Sequence, residues 1–309
     1  MILLAAMILD ALFGEPEPLW RRLPHPAVLM GRAVGALDAR LNTGAGRRAK
    51  GAAALALLLS CAGGLGALIE ALPFSTLPEI ILGAILLAQR SLADHVLAVA
   101  AGLERSLAAG RAEVAKIVGR DVAEADEPAI TRAAIESAAE NFSDGVVAPV
   151  FWFALFGLPG LMIYKMANTA DSMIGHRTAR HGEFGWAAAR FDDALNLIPA
   201  RVSALLLALG AGSLRALRVA LRDGAIHRSP NAGWPEAAMA GALGIALSGP
   251  RAYGGAMTAQ PWINEEGRRE AGPADIRAAV RLLWRGWAAL LAGAALIAAP
   301  EAVQYFFGT

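Results

Sequence analysis

The chain has 309 residues, 56% of them hydrophobic and only 18% charged, with a mean hydropathy of +0.46. Because a soluble domain is nearer about 45–50% apolar and about 25% charged, the composition predicts a membrane-embedded protein. The many Ala, Leu and Gly residues favour close helix packing in lipid and argue against a β-barrel. A net charge of +1 gives no reason to expect nucleic acid as a partner. The single cysteine, Cys61, excludes a disulfide framework and a cysteine zinc site.

The first 72 residues predict two apolar elements joined by a basic loop. Met1 to Phe13 is short for a span of about 20 residues, so we expect a short or tilted helix with Asp10 facing inward. Residues 14–50 carry seven Lys and Arg against three acids, which predicts a cytoplasmic loop. Within it, the prolines on either side of His25 predict an extended backbone at that histidine. Gly51 to Leu72 predicts the first full span.

The next segment turns at Pro73 to Pro78 and returns through an apolar stretch to Arg90, Asp94 and His95. Arg90 and Asp94 are i,i+4, so these three side chains are expected to share one helix face. An arginine at membrane depth predicts a functional site, whereas a helix that has already left the bilayer would leave it solvated. Residues 100–134 carry mixed charge with helical periodicity, and we interpret 100–144 as a polar cytoplasmic helical insert.

Val146 to Met162 is apolar but interrupted by Gly157, Leu158, Pro159 and Gly160. A single span and a re-entrant hairpin both fit, since a broken backbone is tolerated at membrane depth where protein or water satisfies it. The hairpin is favoured because it brings the flanking polar residues together.

The C-terminal part predicts an apolar helix over Val202 to Ala220, a short helix over Glu236 to Leu247, a polar segment over Tyr253 to Arg281 that contains Gly254 and Gly255, and a last span over Leu282 to Ala299. The arginines between 215 and 228 conflict with a simple topology in which successive loops alternate between the two sides of the membrane. The predicted fold is therefore an all-α, polytopic helical membrane protein, a single domain over 1–309 with about four to six membrane elements.

Three polar clusters stand beside these apolar runs. They comprise Glu136, Glu140, Asn141 and Asp144; then Lys165, Asn168, Thr169, Asp171 and Ser172; then Arg190, Asp192, Asp193, Asn196 and Arg201. Such side chains are costly next to lipid unless they bind something, so we predict that they form the active site.

The clusters favour a hard cation with phosphate. Glu136 and Glu140 lie on one helix face and repel each other, a strain that a bound cation would relieve. Oxygen ligands without cysteines or paired histidines suit Mg²⁺ held together with phosphate oxygens, which Lys165, Arg190 and Arg201 could meet. His176 and His181 lack the i,i+4 spacing of a helical metal pair. From the residues alone two classes remain: a Mg²⁺-dependent transferase acting on a diphosphate-linked lipid, and an ATP-dependent ligase.

Four long strings carry a resemblance to a known family. They run from Glu136 to Pro149, from Tyr164 to His176, from Arg190 to Arg201 and from Ser229 to Glu236. Shorter strings around Asp10, His25 and Arg90 fit as well. Together they resemble the CobD/CbiB family of cobalamin biosynthesis, the adenosylcobinamide-phosphate synthases, over residues from about 9 to past 280.

The resemblance implies an ATP- and Mg²⁺-dependent ligase. The family joins 1-amino-2-propanol, or its O-phosphate, to the propionate carboxylate of adenosylcobyric acid and gives adenosylcobinamide or its phosphate. It also implies a multi-pass protein of the inner membrane whose site faces the cytoplasm, in contact with lipid and with other corrinoid-pathway enzymes.

Roles follow from this chemistry as hypotheses. The predicted metal ligands are Glu140, Asp144, Asp171, Asp192 and Asp193. The predicted catalytic side chains are Glu136, Glu140, Lys165 and His176. The predicted substrate and phosphate ligands are His25, Arg90, Asn141, Asn168, Arg190, Asn196, Arg201, Ser229, Asn231 and Trp234.

Overall fold

The computed structural model describes residues 1–253, 256–258 and 260–307, and most of them are helical. The α-helices are α1 (Ile2–Phe13), α2 (Glu17–Trp20), α3 (Pro26–Leu41), α4 (Arg47–Glu70), α5 (Thr76–Leu86), α6 (Gln89–Arg105), α7 (Leu107–Val114), α8 (Glu127–Phe142), α9 (Ala148–Ile174), α10 (Trp186–Ala211), α11 (Leu214–Asp223), α12 (Gly233–Leu243) and α13 (Pro273–Phe307). A π-helical turn, Ser143–Val147, joins α8 to α9.

Within the described residues, five helical segments are long and apolar enough to cross a membrane: Arg47–Glu70, Thr76–Arg105, Glu127–Ile174, Trp186–Ala211 and Pro273–Ala298. The predicted helical, polytopic membrane fold with about four to six membrane elements is therefore confirmed.

Four short strands were not predicted. They are β1 (Leu247–Ser248), β2 (Arg251–Tyr253), β3 (Ala256–Thr258) and β4 (Trp262–Ile263). β1 pairs antiparallel with β4, with Leu247 opposite Ile263, and β2 pairs antiparallel with β3. Elements of two or three residues are too short to show the alternation that identifies a strand. Gly254 and Gly255, in the predicted polar segment, lie outside the described residues.

The chain forms two compact units, each built from separate stretches. The first unit comprises residues 1–88, 148–196 and 294–309, and the second comprises 89–147 and 197–293. The single domain over 1–309 stays a prediction, as does the cytoplasmic placement of 100–144.

In the first unit, small residues bring α4 and α9 into close contact. A Cβ atom added at Gly66 would lie 2.8 Å from the backbone nitrogen of Pro159, and one at Gly63 would meet the side chain of Ile163. This is the close approach that small residues allow between membrane helices. In α1, Asp10 is only 3% exposed, which confirms its predicted inward orientation.

The predicted interruption of the Val146 to Met162 run is present within α9. Phe156 and Gly157 leave the helical conformation, with φ of 60° and ψ of −156° at Gly157. The bend is so sharp that a Cβ atom at Gly160 would lie 2.5 Å from the carbonyl oxygen of Trp152. Past the break, the backbone N–H of Leu158 donates to Oε1 of Glu70 at 2.7 Å. Glu70 thus satisfies an N–H that the start of a helix leaves unpaired.

The stretch predicted as a loop over 14–50 contains a sixteen-residue helix, α3. His25 has the predicted extended backbone, with φ of −60° and ψ of 141°, and its side chain caps the helix by accepting from the N–H of Ala27. The loop prediction was wrong for Pro26–Leu41 because proline restricts the residue before it but fits the first helical position.

The second unit packs around α6, α8 and α12. Its core contains Val96, Ile130, Phe142 and Met239, which are fully buried, and residues of α13. The 100–134 segment contributes buried residues to this core, including Leu103 and Val114. Its helical periodicity therefore marks a packed face.

Candidate functional site

The second and third polar clusters meet in the first unit, where α9 lies against α10. Nδ2 of Asn196 donates to a carboxylate oxygen of Asp192 at 3.0 Å, and Nδ2 of Asn168 donates to the other oxygen at 3.4 Å. The hydroxyl of Tyr164 donates to Oδ1 of Asn196 at 3.0 Å. Asp192 is 8% exposed and Asn196 is 1% exposed. The network holds one buried carboxylate in a fixed orientation by neutral donors.

Two further carboxylates lie within electrostatic range of Asp192. Asp171 and Asp193 interact with it and with each other, and His176 interacts with Asp171. Nη1 of Arg190 lies 3.6 Å from Oδ2 of Asp193. The approach is close enough that a Cβ atom at Gly175 would overlap Oδ1 of Asp171, at 1.8 Å. Of the five predicted metal ligands, Asp171, Asp192 and Asp193 are therefore neighbours in the first unit, whereas Glu140 and Asp144 belong to the second unit, and the metal role of all five stays a prediction.

Next to these carboxylates is a cavity of about 400 Å³ in the loop between α9 and α10. Its lining residues are Gly175, Arg177, Thr178, Gly182, Trp186, Ala189, Arg190 and Asp193. Two guanidinium groups, a hydroxyl, an indole and one carboxylate make this a basic cavity with an aromatic wall. Arg177, Thr178 and Trp186 were not predicted as site residues, although they stand within or at the end of an arginine-rich loop between two spans.

The cavity loop is anchored to α3 and α4 by polar contacts. Nη2 of Arg180 donates to Asp38 at 2.6 Å, and Nδ2 of Asn42 donates to the carbonyl of Arg180 at 3.0 Å. The guanidinium carbon of Arg48 lies 3.6 Å from the ring centroid of Trp186. Burial opposes ionisation of Asp38, but the hydrogen bonds from Arg180 and Asn42 outweigh it and hold the pKa of this carboxyl below its ordinary value.

His25 and Lys165, predicted as separate site residues, are electrostatic neighbours in the first unit. The ring of His25 lies edge-on to Trp20, with 4.5 Å between centroids. Burial lowers the pKa of His25, and the positive charge of Lys165 adds to this, while Glu15 opposes it. A neutral imidazole at physiological pH is therefore expected at this position.

In the second unit, the first polar cluster is mostly engaged by its own helix and by one strand. Glu136 is 5% exposed; its Oε2 accepts from Nη2 of Arg120 at 3.0 Å and its Oε1 accepts from the N–H of Ser248 at 2.7 Å. Glu140 and Asn141 are exposed, and Nδ2 of Asn141 donates to the carbonyl of Ser137 at 2.9 Å.

Asp144 lies in the π-helical turn between α8 and α9. Such turns are frequent at functional sites, which supports a role for Asp144.

Arg201 connects two distant sequence strings in the second unit. Its Nη1 donates to Oδ1 of Asn231 at 3.1 Å, and its guanidinium carbon lies 4.6 Å from the ring centroid of Trp234. Ser229 Oγ accepts from the N–H groups of Asn231 and Ala232 and so shapes the turn. Among the described residues, the indole N–H of Trp234 is buried without a hydrogen-bond partner. Arg201 and the residues of the Ser229 to Trp234 string, predicted as separate ligands, are thus in contact.

A second, smaller cavity of about 200 Å³ lies beside this turn. It is lined by Ile226, His227, Arg228, Ser248, Gln260, Pro261 and Ile263. Ser248 is held by Glu136, and His227 Nδ1 accepts from the N–H of Ser229. Glu136 and the Ser229 string therefore support the same cavity wall.

Arg90, also predicted as a ligand, forms the expected i,i+4 pair with Asp94, 2.8 Å apart. Both side chains are about half exposed, at 44% and 56%. His95 Nδ1 lies 2.7 Å from the carbonyl of Ser91 on the same helix. The binding role of Arg90 stays a prediction.

Fold and site together define a polytopic helical membrane protein with a buried carboxylate–amide network beside a basic cavity. The chain belongs to the CobD/Cbib protein family, whose model matches residues 3–283. A cobalamin biosynthesis protein CobD from Sinorhizobium sp is 51% identical over 310 residues, covering 95% of this chain and 96% of the relative. The protein of the same name from Rhizobium meliloti (strain 1021) is 50% identical, with 97% of each chain covered, and that from Rhodobacter capsulatus is 43% identical, with 96% of each covered. No solved structure matches this chain.

Proposed function

We propose that the protein acts in cobalamin biosynthesis as an ATP-dependent ligase. It joins the amine of 1-amino-2-propanol, or of its O-phosphate, to the propionate carboxylate of adenosylcobyric acid. Family membership supports the pathway. The observation that carries the chemistry is the cavity in the first unit, which sets Arg177 and Arg190 beside Asp193 and the buried Asp192 network.

This cavity has the features of a phosphate site. Guanidinium groups bind phosphate oxygens bidentately, and two of them line a cavity of about 400 Å³, large enough for a small phosphate ester or the phosphate end of a nucleotide. Trp186 offers an apolar wall at the same cavity. Arg48 lies over Trp186 and is not a lining residue, so an edge or the other face of the indole is left for a ligand. We assign the phosphates of ATP to Arg177 and Arg190 and its base to Trp186.

The donor set fits a Mg²⁺ ion that arrives with the nucleotide. Among the described residues, no group of three or more His, Cys, Asp or Glu side chains could hold a metal ion by itself. Mg²⁺ is commonly bound by only one or two carboxylates, with substrate phosphates and water completing its octahedron. Asp193 lines the cavity, and Asp171 and Asp192 interact with it electrostatically. Asp193, with one carboxylate of the pair behind it, would hold the ion, which would supply charge neutralisation at the phosphates.

The reaction needs the carboxylate to be activated, because a carboxylate does not react with an amine at neutral pH. Attack of a propionate oxygen on the terminal phosphorus of ATP would give an acyl phosphate and ADP. Attack of the amine on the acyl carbon would then form the amide and release inorganic phosphate. The arginines stabilise the charge that develops on the transferred phosphoryl group.

The amine must lose a proton to attack. His176 lies in the cavity loop and is an electrostatic neighbour of Asp171, so an imidazole that can take up this proton lies near the carboxylates. Glu136 is less suited to take up the proton, since one of its oxygens accepts a hydrogen bond from Arg120 and the other accepts one from Ser248. We therefore propose His176 as the base and a supporting role for Glu136.

The second unit supplies features suited to the corrinoid. The buried N–H of Trp234 is a donor for one of the amide oxygens on the corrinoid rim, and the small cavity beside Ser229 would accept one side arm. Arg201, held by Asn231, carries the charge to meet a propionate.

A reconstitution assay tests the proposal. The purified full chain would be incubated in lipid with adenosylcobyric acid, ATP, Mg²⁺ and either the amino alcohol or its phosphate. Mass spectrometry should find the amide product together with ADP and phosphate in equal amounts. Consumption of a diphosphate-linked lipid, with these substrates untouched, would instead indicate a lipid transferase.

A further inference from the structure

The helix α11 has three distinct faces and follows a membrane span directly. The α10 span ends at Ala211, Gly212 breaks the helix with a φ of 59°, and Ser213 caps the new helix by accepting from the N–H of Ala216. The helix is ten residues long, Leu214–Asp223, or about 15 Å. Only Gly212 and Ser213 separate α11 from the end of the α10 span.

One face of α11 is already covered by the protein. Ala216, Val219 and Ala220 are buried, and a Cβ atom at Gly241 of α12 would lie 2.9 Å from the Cα of Ala216. Asp223 is buried too, and it accepts from the backbone N–H of Asn264 at 2.7 Å. These contacts fix the rotation of the helix about its own axis.

The remaining surface consists of a leucine stripe and an arginine stripe. Leu214, Leu217 and Leu221 follow i, i+3 and i+7 spacing, and Leu214 and Leu221 are 72% and 65% exposed. The second stripe, Arg215, Arg218 and Arg222, is exposed along its length. Of these three arginines, only Arg222 forms a close ion pair within the described residues, with Asp223 at 2.7 Å. Most of the positive charge of the stripe therefore faces outward.

The leucine stripe closely follows, in the sequence, exposed leucines of a span. On α10, Leu205 and Leu209 are 46% and 61% exposed within a segment of membrane-crossing length. Leu214 follows Leu209 by five residues, so exposed leucines stand on both sides of the break at Gly212. A stripe of three leucines on a 15 Å helix is too small for a stable dimer, which buries about 800 Å² on each partner.

We propose that α11 lies in the membrane plane at the end of the α10 span. Its leucines enter the acyl boundary, and its arginines bind the phosphate headgroups of anionic lipids. An interfacial helix has this combination of a basic face and an apolar face. Anionic headgroups attract basic residues that lie near the membrane surface. The proposal also explains how Arg215, Arg218 and Arg222 fit a helical bundle, because this helix lies along the bilayer without crossing it.

Depth measurements on the full chain in nanodiscs test the apolar face. In a Cys61→Ser background, Leu221→Cys would carry a fluorescent label, with Leu209→Cys as the lipid reference and Glu124→Cys as the aqueous reference. Brominated lipid should quench the labels at 221 and 209 comparably, and iodide should quench the label at 221 at least about threefold less than that at 124. Quenching by iodide alone would overturn the proposal, and protection from both quenchers would overturn it by indicating a protein cover.

The arginine face is tested by lipid charge. As the fraction of phosphatidylglycerol in phosphatidylcholine rises, the label at 221 should shift to the blue. Arg218→Gln should reduce this dependence by about half, while Arg22→Gln, an exposed arginine in another part of the chain, should leave it unchanged. An equal response of both variants would refute the headgroup contact. These measurements need no turnover, so they are independent of the proposed ligase activity.

Discussion

The guanidinium of Arg201 lies 4.6 Å from the ring centroid of Trp234 while one of its nitrogens donates to Asn231 at 3.1 Å. The chain thereby joins the end of the third polar cluster to a string about thirty residues later. A stack and a hydrogen bond made by one planar group depend on its fork geometry, which lysine lacks. The pair therefore works as one unit, and it can be tested by a change that keeps the charge.

Arg201→Lys should raise the KM for the corrinoid about tenfold and leave the KM for ATP unchanged, because the charge stays but the stack and the second donor are lost. Steady-state kinetics with each substrate varied in turn measure both values. Arg105→Lys, at the exposed end of α6, is the matched control. An equal rise in both KM values would mean that the variant disturbs the fold instead of the corrinoid contact.

Asp192→Asn should lower kcat by at least about 100-fold with the fold retained, because the amide fills the same space but carries no charge for a cation. The apparent Mg²⁺ affinity, from activity against Mg²⁺ concentration, should fall as well. Asn168→Asp is the comparison variant, since it keeps the site polar and adds a like charge next to Asp192. It should impair the use of Mg²⁺ less than Asp192→Asn does. If Asp192→Asn turned over normally, the metal role of this carboxylate would be refuted.

Sequence reasoning predicted the spans and the association of Asp192 with Asn196 because helical spacing is a local property. It also located the break at Gly157, since Gly and Pro affect the backbone conformation at their own positions. It missed Arg177, Thr178 and Trp186, because a cavity wall depends on how a loop folds back between two helices. It missed α3 because prolines and basic residues are typical of loops. It could not find Arg120 as the partner of Glu136, because the two residues are sixteen apart in the sequence and meet only in the folded chain.

Arg177→Gln and Arg190→Gln should each raise the KM for ATP about tenfold, since each removes one guanidinium from the cavity that we assign to the phosphates. Trp186→Leu should weaken ATP binding while leaving the binding of inorganic triphosphate nearly unchanged, because triphosphate has no base to contact the indole. Titration calorimetry on the purified protein distinguishes the two effects. Arg40→Gln, exposed on α3, provides a control, and a loss of ATP affinity in that variant as well would indicate a nonspecific charge effect.

Asp38→Asn should destabilise the cavity loop by about 1 kcal/mol, a modest value because its partner Arg180 is 61% exposed and solvent screens the pair. The folded-state pKa of Asp38 lies below its ordinary 3.8, since burial is outweighed by the Arg180 and Asn42 hydrogen bonds. The stabilisation is thus fully present above that pH and is lost as pH falls through the lower, folded-state pKa.

Thermal melts of the wild type and of Asp38→Asn should consequently differ at pH 7 and converge only below the folded-state pKa of Asp38, which lies under 3.8. Asp94→Asn, which removes an exposed pair with Arg90, should hardly change the melting temperature at pH 7. A difference between wild type and Asp38→Asn that persisted into acid would assign the effect to packing and not to charge.

Gly157→Ala should destabilise the protein by at least about 2 kcal/mol, because φ of 60° with ψ of −156° is a conformation that only glycine adopts readily. The added Cβ would also lie 2.2 Å from Oε1 of Glu70, the atom that accepts from the N–H of Leu158. Gly64→Ala is the matched control, since a Cβ there meets no atom within 4 Å and alanine favours the helix. Unfolding in a graded denaturing detergent measures both variants. Equal stability of the two variants would show that the bend at Gly157 relaxes at no cost in free energy. The break in α9 would then not be a fixed part of the fold.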